Sequence, residues 1–133
     1  AVLLKDMIEN YGNHNARLII LMTGGHPSKL YNYDVNLPST VMDMTKNFKE
    51  YINFLNSIYM KNRNVSINNE YEKDKEEIEK NIETGYYQQA IVHMMKIMPK
   101  KNKQITPSQA KEILNIYKEY LDILLPNFLT INL

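Results

Sequence analysis

From Val41 to Tyr59 the chain reads VMDMTKNFKEYINFLNSIY, and this stretch decides the fold. Val41, Met44, Phe48, Tyr51, Ile52, Leu55, Ile58 and Tyr59 recur at steps of three and four. That spacing puts them on one stripe of an α-helix about five turns long. Lys46, Asn47, Lys49, Glu50, Asn53 and Asn56 fall on the other, water-facing side. Ser39 or Thr40, just after Pro38, stands where an N-cap belongs, and Asp43 is spaced for a capping-box-like contact with Thr40. A long helix with one apolar stripe needs other helices to cover it.

Toward the N-terminus, a first helix is expected from about Val2 to Tyr11, with Gly12 in the left-handed position that ends it. A second starts near Asn15 as N-cap and carries Ala16-Arg17-Leu18-Ile19-Ile20-Leu21-Met22, seven residues with one charge. So apolar a run is a helix buried on most sides or a buried strand, and periodicity alone leaves both open. Gly24-Gly25-His26-Pro27 stops it, and an irregular stretch leads to Pro38.

Toward the C-terminus, Asn62 to Asn69 reads as a loop. Tyr71, Ile78 and Ile82 give a thin stripe on a charged helix. Six acids and three lysines lie between Glu70 and Lys80, many at i,i+4 spacing, as on a solvated outer helix. Gly85 breaks it. Tyr87, Ala90, Ile91, Met94, Met95 and Met98 make the next helix, ended by Pro99. Thr106-Pro107 is an N-cap with proline at the first helical position. The last helix buries Ala110, Ile113, Leu114, Tyr117, Leu121 and Leu124 and stops at Pro126. There is no internal repeat and no strand ladder. The expected fold is all-α, a bundle of five or six helices with short loops. Residues 1–37 form a smaller helical segment and 38–133 the bundle proper.

Composition limits the function. The 133 residues suit one domain. No cysteine is present, which excludes disulfides and Cys-based zinc sites. No window reaches the roughly 18 apolar residues that mark a membrane span, and the lack of cysteine goes with an intracellular compartment, so a soluble, cytoplasmic chain is expected. The start is too short for a signal peptide and lacks Met, as in an excised fragment. Sixteen basic residues nearly balance fifteen acidic ones, so nucleic-acid contact would need local patches. Lys outnumbers Arg 14 to 2 and Asn occurs 17 times, a codon-bias skew without mechanistic weight. His14, His26 and His93 lack metal-ligand spacing. No phosphate loop or nucleophile elbow is present. No catalytic site is expected from this chain alone.

A few residues carry both a functional and a plain structural reading. Lys96, Lys100, Lys101 and Lys103 form a basic patch with no acid among them, suited to phosphates or to solvated surface. Arg17 serves a phosphate or a structural carboxylate such as Asp34 or Asp6. His93 reads as a partly buried structural histidine. Met94, Met95 and Met98 fill the core or line an adaptable groove. Tyr31 and Tyr33 anchor their loop or stack on a base.

The run Lys5-Asp6-Met7-Ile8-Glu9, then Ala16 to Met22, then Leu30-Tyr31-Asn32-Tyr33-Asp34, resembles cysteinyl-tRNA synthetases of the eukaryotic type. In that family a Lys-Asp helix, an Arg-Leu apolar helix and a Leu-x-Tyr loop follow the KMSKS loop. Val41 to Tyr59 is similar to the long helix that comes next. Glu77 to Met98 and Glu112 to Leu124 are similar to later helices of the anticodon-binding bundle of class Ia aminoacyl-tRNA synthetases. The family has a histidine just after the Leu-Met end, where this chain has Thr23-Gly24-Gly25-His26. The HIGH and KMSKS signatures and the zinc ligands are missing. Arginyl- and methionyl-type enzymes carry related bundles.

The resemblance implies the C-terminal, tRNA-binding part of an ATP-dependent cysteine–tRNA ligase. Catalysis, ATP and zinc would belong to an N-terminal domain absent here, and this fragment needs no cofactor. Residues before Pro38 would belong to the stem-contact region that joins the catalytic domain to the bundle, and Ser39 onward would form the anticodon-binding bundle. Arg17, Lys29, Lys96, Lys100, Lys101 and Lys103 become the expected tRNA contacts, with cysteine tRNA and the catalytic domain as partners. Apolar surface on Leu18 to Met22 would then be partly exposed, awaiting that domain. The competing expectation is a helical protein-interaction module with an apolar groove at Met94, Met95 and Met98.

Overall fold

The computed structural model describes residues 4–23, 36–98 and 104–129. These form helices α1 (Leu4–Tyr11), α2 (Asn13–Met22), α3 (Leu37–Tyr59), α4 (Glu72–Glu83), α5 (Tyr87–Lys96) and α6 (Pro107–Ile116). Helix α6 runs on through a π-helical turn (Tyr117–Leu121) and a short α turn (Asp122–Leu124). No strand occurs among the described residues, so the all-α bundle stands and α2 is a helix.

Gly12 joins α1 to α2 at φ 85° and ψ 167°, a region that only glycine occupies cheaply. Its N–H donates to Ile8 O at 2.9 Å and its carbonyl accepts from Ala16 at 3.0 Å. One residue thus closes one helix and opens the next. The start of α2 falls two residues before Asn15, which is not its N-cap. Asn15 Nδ2 donates instead to Tyr11 O at 2.9 Å, and its Oδ1 accepts from Thr45 Oγ1 of α3 at 2.7 Å. It serves the exposed carbonyl end of α1 and ties α2 to α3.

Helix α3 begins at Leu37, earlier than Ser39 or Thr40, with Pro38 in its first turn. Thr40 Oγ1 donates to Asn36 O at 3.1 Å, so the expected pairing with Asp43 is replaced by a bond to the preceding turn. The stripe itself is as read. Val41, Met44, Phe48, Ile52 and Leu55 are buried, and Tyr51, Ile58 and Tyr59 pack partly against the same core. Burying each such side chain stabilises by about 1.5–3 kcal/mol. The antiparallel partner is α6, whose Tyr117 ring meets Phe48 edge-on at 5.8 Å.

Helix α4 ends in a Schellman turn. Gly85, at φ 82°, donates to Ile82 O at 3.2 Å, and Tyr86 N donates to Asn81 O at 2.7 Å. The positive φ is why glycine stands there. The chain then doubles back as α5 against α4. Thr106 and Gln109 exchange capping-box bonds of 3.2 and 3.0 Å at the start of α6, with Pro107 at its first position.

Residues of α1 and α2 share the hydrophobic cluster of the other helices. Met7, Ala16, Leu18 and Ile19 are buried in it, while Ile20, Leu21 and Met22 are half-buried at its margin. The chain's own helices therefore cover Leu18 and Ile19, and partial exposure is confined to the last three residues of the run. No described helix is long and apolar enough to cross a membrane.

Candidate nucleic-acid interface

Of the six cationic residues singled out from sequence, Arg17 and Lys96 are described. Lys29, Lys100, Lys101 and Lys103 lie outside the described residues, as do Tyr31, Tyr33 and Asp34. Arg17 does not pair with Asp6. Its Nε donates to the main-chain carbonyl of Leu124, at the end of the closing helix. One turn earlier on α2, His14 Nε2 donates to Pro126 O at 2.8 Å. A helix C-terminus offers carbonyls without partners and a partial negative charge, so a guanidinium there is stabilising. Lys96 is exposed in the last turn of α5. Arg17 and Lys96 sit on different elements, and no described contact links them.

A wider pattern emerges once the fold is laid over the sequence. Residues 51–69 contain no acid, and neither do residues 84–111. The first segment holds Lys61 and Arg63, and the second holds Lys96, Lys100, Lys101, Lys103 and Lys111. The structure sews these two segments together at one end of the bundle. Ser108 Oγ donates to Ser66 O at 2.8 Å, and Lys111 Nζ donates to Val65 O at 2.7 Å. Lys61, Arg63 and Lys96 remain exposed. The acids nearest to this end in sequence are Glu70, Glu72 and Glu112.

Glu112 is withdrawn from that surface. It is 5% exposed, and its two carboxylate oxygens accept the main-chain N–H groups of Glu70 and Tyr71 at 3.0 and 2.9 Å. A carboxylate at this place supplies acceptors for the entry of α4 and complements its dipole. Reading from sequence missed Glu112, because nothing local distinguishes it from the solvated acids of α4. The acid-free windows were visible in the sequence, but only the Lys96 to Lys103 part was taken up. That the segment after Lys61 and Arg63 is tied to the start of α6 is visible only through the Ser66–Ser108 bond.

The remaining polar groups hold the α4–α5 hairpin in place. His93 Nε2 donates to Asp74 Oδ1 at 2.7 Å, in keeping with a structural histidine. Tyr117 OH donates to Met94 O at 2.9 Å, and Tyr120 OH to Glu79 at 3.0 Å. Burial pushes the Tyr117 phenol well above its ordinary pKa, and the neighbouring Tyr51 and Tyr71 phenols add to this. Burial first and Tyr71 second do the same to Tyr51, whose buried hydroxyl has no hydrogen-bond partner among the described residues. Met94 is fully buried, and Met95 and Met98 pack partly on the core. Met94 therefore fills the core and lines no open groove.

A surface groove of about 460 Å³ lies between the 67–72 segment and α6. Its charged lining mixes Glu72, Glu112 and Glu119 with Lys75 and Lys118. Lys75 and Glu119 face each other at 3.8 Å, and Glu112 is taken up by main-chain N–H groups, so the groove offers no cationic site for a phosphate. Among the described residues no group of His, Asp or Glu is placed to hold a metal ion. The chemistry that remains is electrostatic: Lys61, Arg63 and Lys96 are exposed in segments of the sequence without acids, with the exposed Glu70 and Glu72 following the first of them. Compared with protein-family models, curated proteins and solved structures, the chain matches none.

Proposed function

We propose that this chain is a tRNA-positioning helical bundle, the RNA-binding part of a cysteine–tRNA ligase whose catalysis resides in another domain. The observation that carries the reading is the joining of two acid-free, lysine-bearing segments at one end of the bundle by Ser108–Ser66 and Lys111–Val65. Phosphates bind to such a surface by charge, and release of condensed counterions drives the association. Contacts of this kind fix the register of an RNA, while base contacts specify it. The order of elements from Lys5 to Asp34 supports the cysteinyl member of class Ia. A cytoplasmic site of action goes with this reading, and ATP and zinc go with the catalytic domain. In it Arg17 anchors the bundle, and the lysines at 96, 100, 101 and 103 meet the RNA. Only half-buried Ile20 to Met22 offer apolar surface on α2 for the catalytic domain to cover.

The test is a titration with cysteine tRNA and an unrelated tRNA across a salt series. Tighter binding of cysteine tRNA, weakening steeply with salt, is the expected result. Lys100→Ala and Lys101→Ala should each flatten the log–log salt slope by about one. Preference for the tRNA of another class Ia enzyme would keep the function and change the member. Absence of binding at low salt would overturn the proposal in favour of a protein-interaction module.

A further inference from the structure

Arginine stands at positions 17 and 63, and of the two only Arg63 has a hydroxyl residue three places after it, Ser66. Both Arg63 and Ser66 lie in the segment between α3 and α4. From Val65 to Asn69 the backbone is neither helix nor turn, and Arg63, Ser66 and Ile67 are exposed. Ile67, directly after Ser66, is 38% exposed despite its apolar side chain. The Ser66 carbonyl accepts from Ser108 Oγ at 2.8 Å, while its own hydroxyl makes no hydrogen bond among the described residues. The Arg63 guanidinium meets the Met60 thioether, a weak acceptor that leaves the cation available. Other hydroxyls are placed differently: Ser57 donates to Phe54 O within α3, Thr106 caps α6 and Ser108 is buried.

A protein kinase that selects basic substrates takes an exposed, extended segment. Acids in its cleft pair with a cation before the hydroxyl, and an apolar pocket takes the side chain after it. Arg63, Ser66 and Ile67 present those three features in that order. The fold also supplies a place for the product. Lys111 of α6 donates to Val65 O, the carbonyl next to Ser66, at 2.7 Å, and an ammonium has two further donors. Glu112 beside it is taken up by the N–H groups of Glu70 and Tyr71. We infer that Ser66 is a phosphorylation site for a basophilic serine kinase, with Lys111 receiving the phosphate. The Ser66 oxygen bonds to the γ-phosphorus of ATP, the bond from that phosphorus to the β-phosphate oxygen breaks, ADP leaves, and the hydroxyl proton passes to the kinase's base. A phosphoserine carries about −1.5 to −2 at neutral pH. Residues 51–69 hold only Lys61 and Arg63 as charges, so one phosphate offsets both. The site does not require RNA binding, and where tRNA is the partner it removes charge that attracts phosphates.

The full chain is incubated with ATP and a calmodulin-dependent serine kinase, an enzyme selective for arginine three residues before the hydroxyl. It should gain one phosphoryl group by intact mass, mapped to Ser66 by peptide fragmentation and absent from Ser66→Ala. Arg63→Ala should lower kcat/KM for the kinase by about 10- to 100-fold, the loss of one charge-assisted bond, and Arg63→Lys should restore part of it. The helical circular dichroism should be the same in all of these variants. In a phosphorus NMR titration the phosphoserine should ionise below its ordinary second pKa of about 6, since a facing ammonium favours the dianion. Lys111→Met should return it to about 6. Phosphate that maps to other hydroxyls and not to Ser66, or labelling of Ser66 that R63A does not slow, would overturn the site. A phosphoserine that titrates at its ordinary value with Lys111 in place would overturn the part given to Lys111.

Discussion

Helix α6 meets α3 along a dry seam, and meets the α4–α5 hairpin along one that adds polar links to shared apolar burial. On the α3 side Phe48, Ile52 and Leu55 are fully buried in one cluster with Ile113, Leu114 and Tyr117. On the hairpin side Ile78, Ala90, Ile91 and Met94 are buried in that cluster too, and polar links are added: Glu112 to Glu70 and Tyr71, Tyr117 OH to Met94 O, Tyr120 to Glu79 and Lys75 to Glu119. Apolar burial is non-directional and tolerates small shifts. Hydrogen bonds impose a register, and a buried group that loses its partner costs more than the bond gained. The first seam therefore rests on burial, and in the second the hydrogen bonds add a fixed position for the hairpin. The π-helical turn at Tyr117–Leu121 marks the change between them, since Tyr117, Glu119 and Tyr120 all reach the hairpin from it.

The largest expected effect falls on the dry seam. Phe48→Ala should cost about 3–5 kcal/mol in urea unfolding, with all helices melting together. A loss below about 1 kcal/mol would show that α3 and α6 do not form the central pair. Glu112→Ala comes next, at about 1.5–3 kcal/mol, because it strands two main-chain N–H groups that had a charged acceptor. Its signature is local, with the amides of α4 exchanging hydrogen before those of α3. If both helices lose protection at the same rate, the two seams are one cooperative unit.

Tyr51→Phe should have the opposite sign, a gain of up to about 1 kcal/mol, since its hydroxyl is buried without a partner. The same substitution tests the alkaline limb. The folded pKa values of Tyr51 and Tyr117 lie above the ordinary one, so the unfolded chain loses those protons first. Their contribution is complete below pH about 10 and is lost as pH rises from there toward the folded values. Y51F should make that decline shallower in a series of denaturation curves. The smallest change is Lys75→Ala, within about 0.5 kcal/mol, because its ion pair with Glu119 is long and exposed. A larger loss would mean that the polar seam depends on its outer charges as well as on Glu112.

The same contrast explains what could be read without coordinates. The α3 stripe, the Thr106-Pro107 start and the Gly12 and Gly85 breaks depend on neighbours within a few residues. Each was legible, with errors of two or three positions at the starts of α2 and α3. Glu112 finds its partners 41 and 42 residues away, and no local pattern encodes that distance. Arg17 was legible as an oddity in an apolar run, but its partner is a main-chain carbonyl, which has no residue identity to search for. The candidate RNA surface was half visible, because a lysine cluster is a local feature whereas the meeting of two acid-free windows is a product of folding.

The clasp that Arg17 and His14 make on the end of α6 also has a consequence in time. These bonds span 107 and 112 residues. At about 5–20 residues per second, a ribosome makes the receiving carbonyls roughly 5–20 seconds after the side chains that bind them. Throughout that interval α2 lacks the bonds that Arg17 and His14 make to Leu124 and Pro126. Of the described helices, one made early is thus among the last to be secured at its end, while the helices between it and α6 are still being made. That is the stage at which chaperone capture, or misassembly with a neighbouring chain, has its best opportunity.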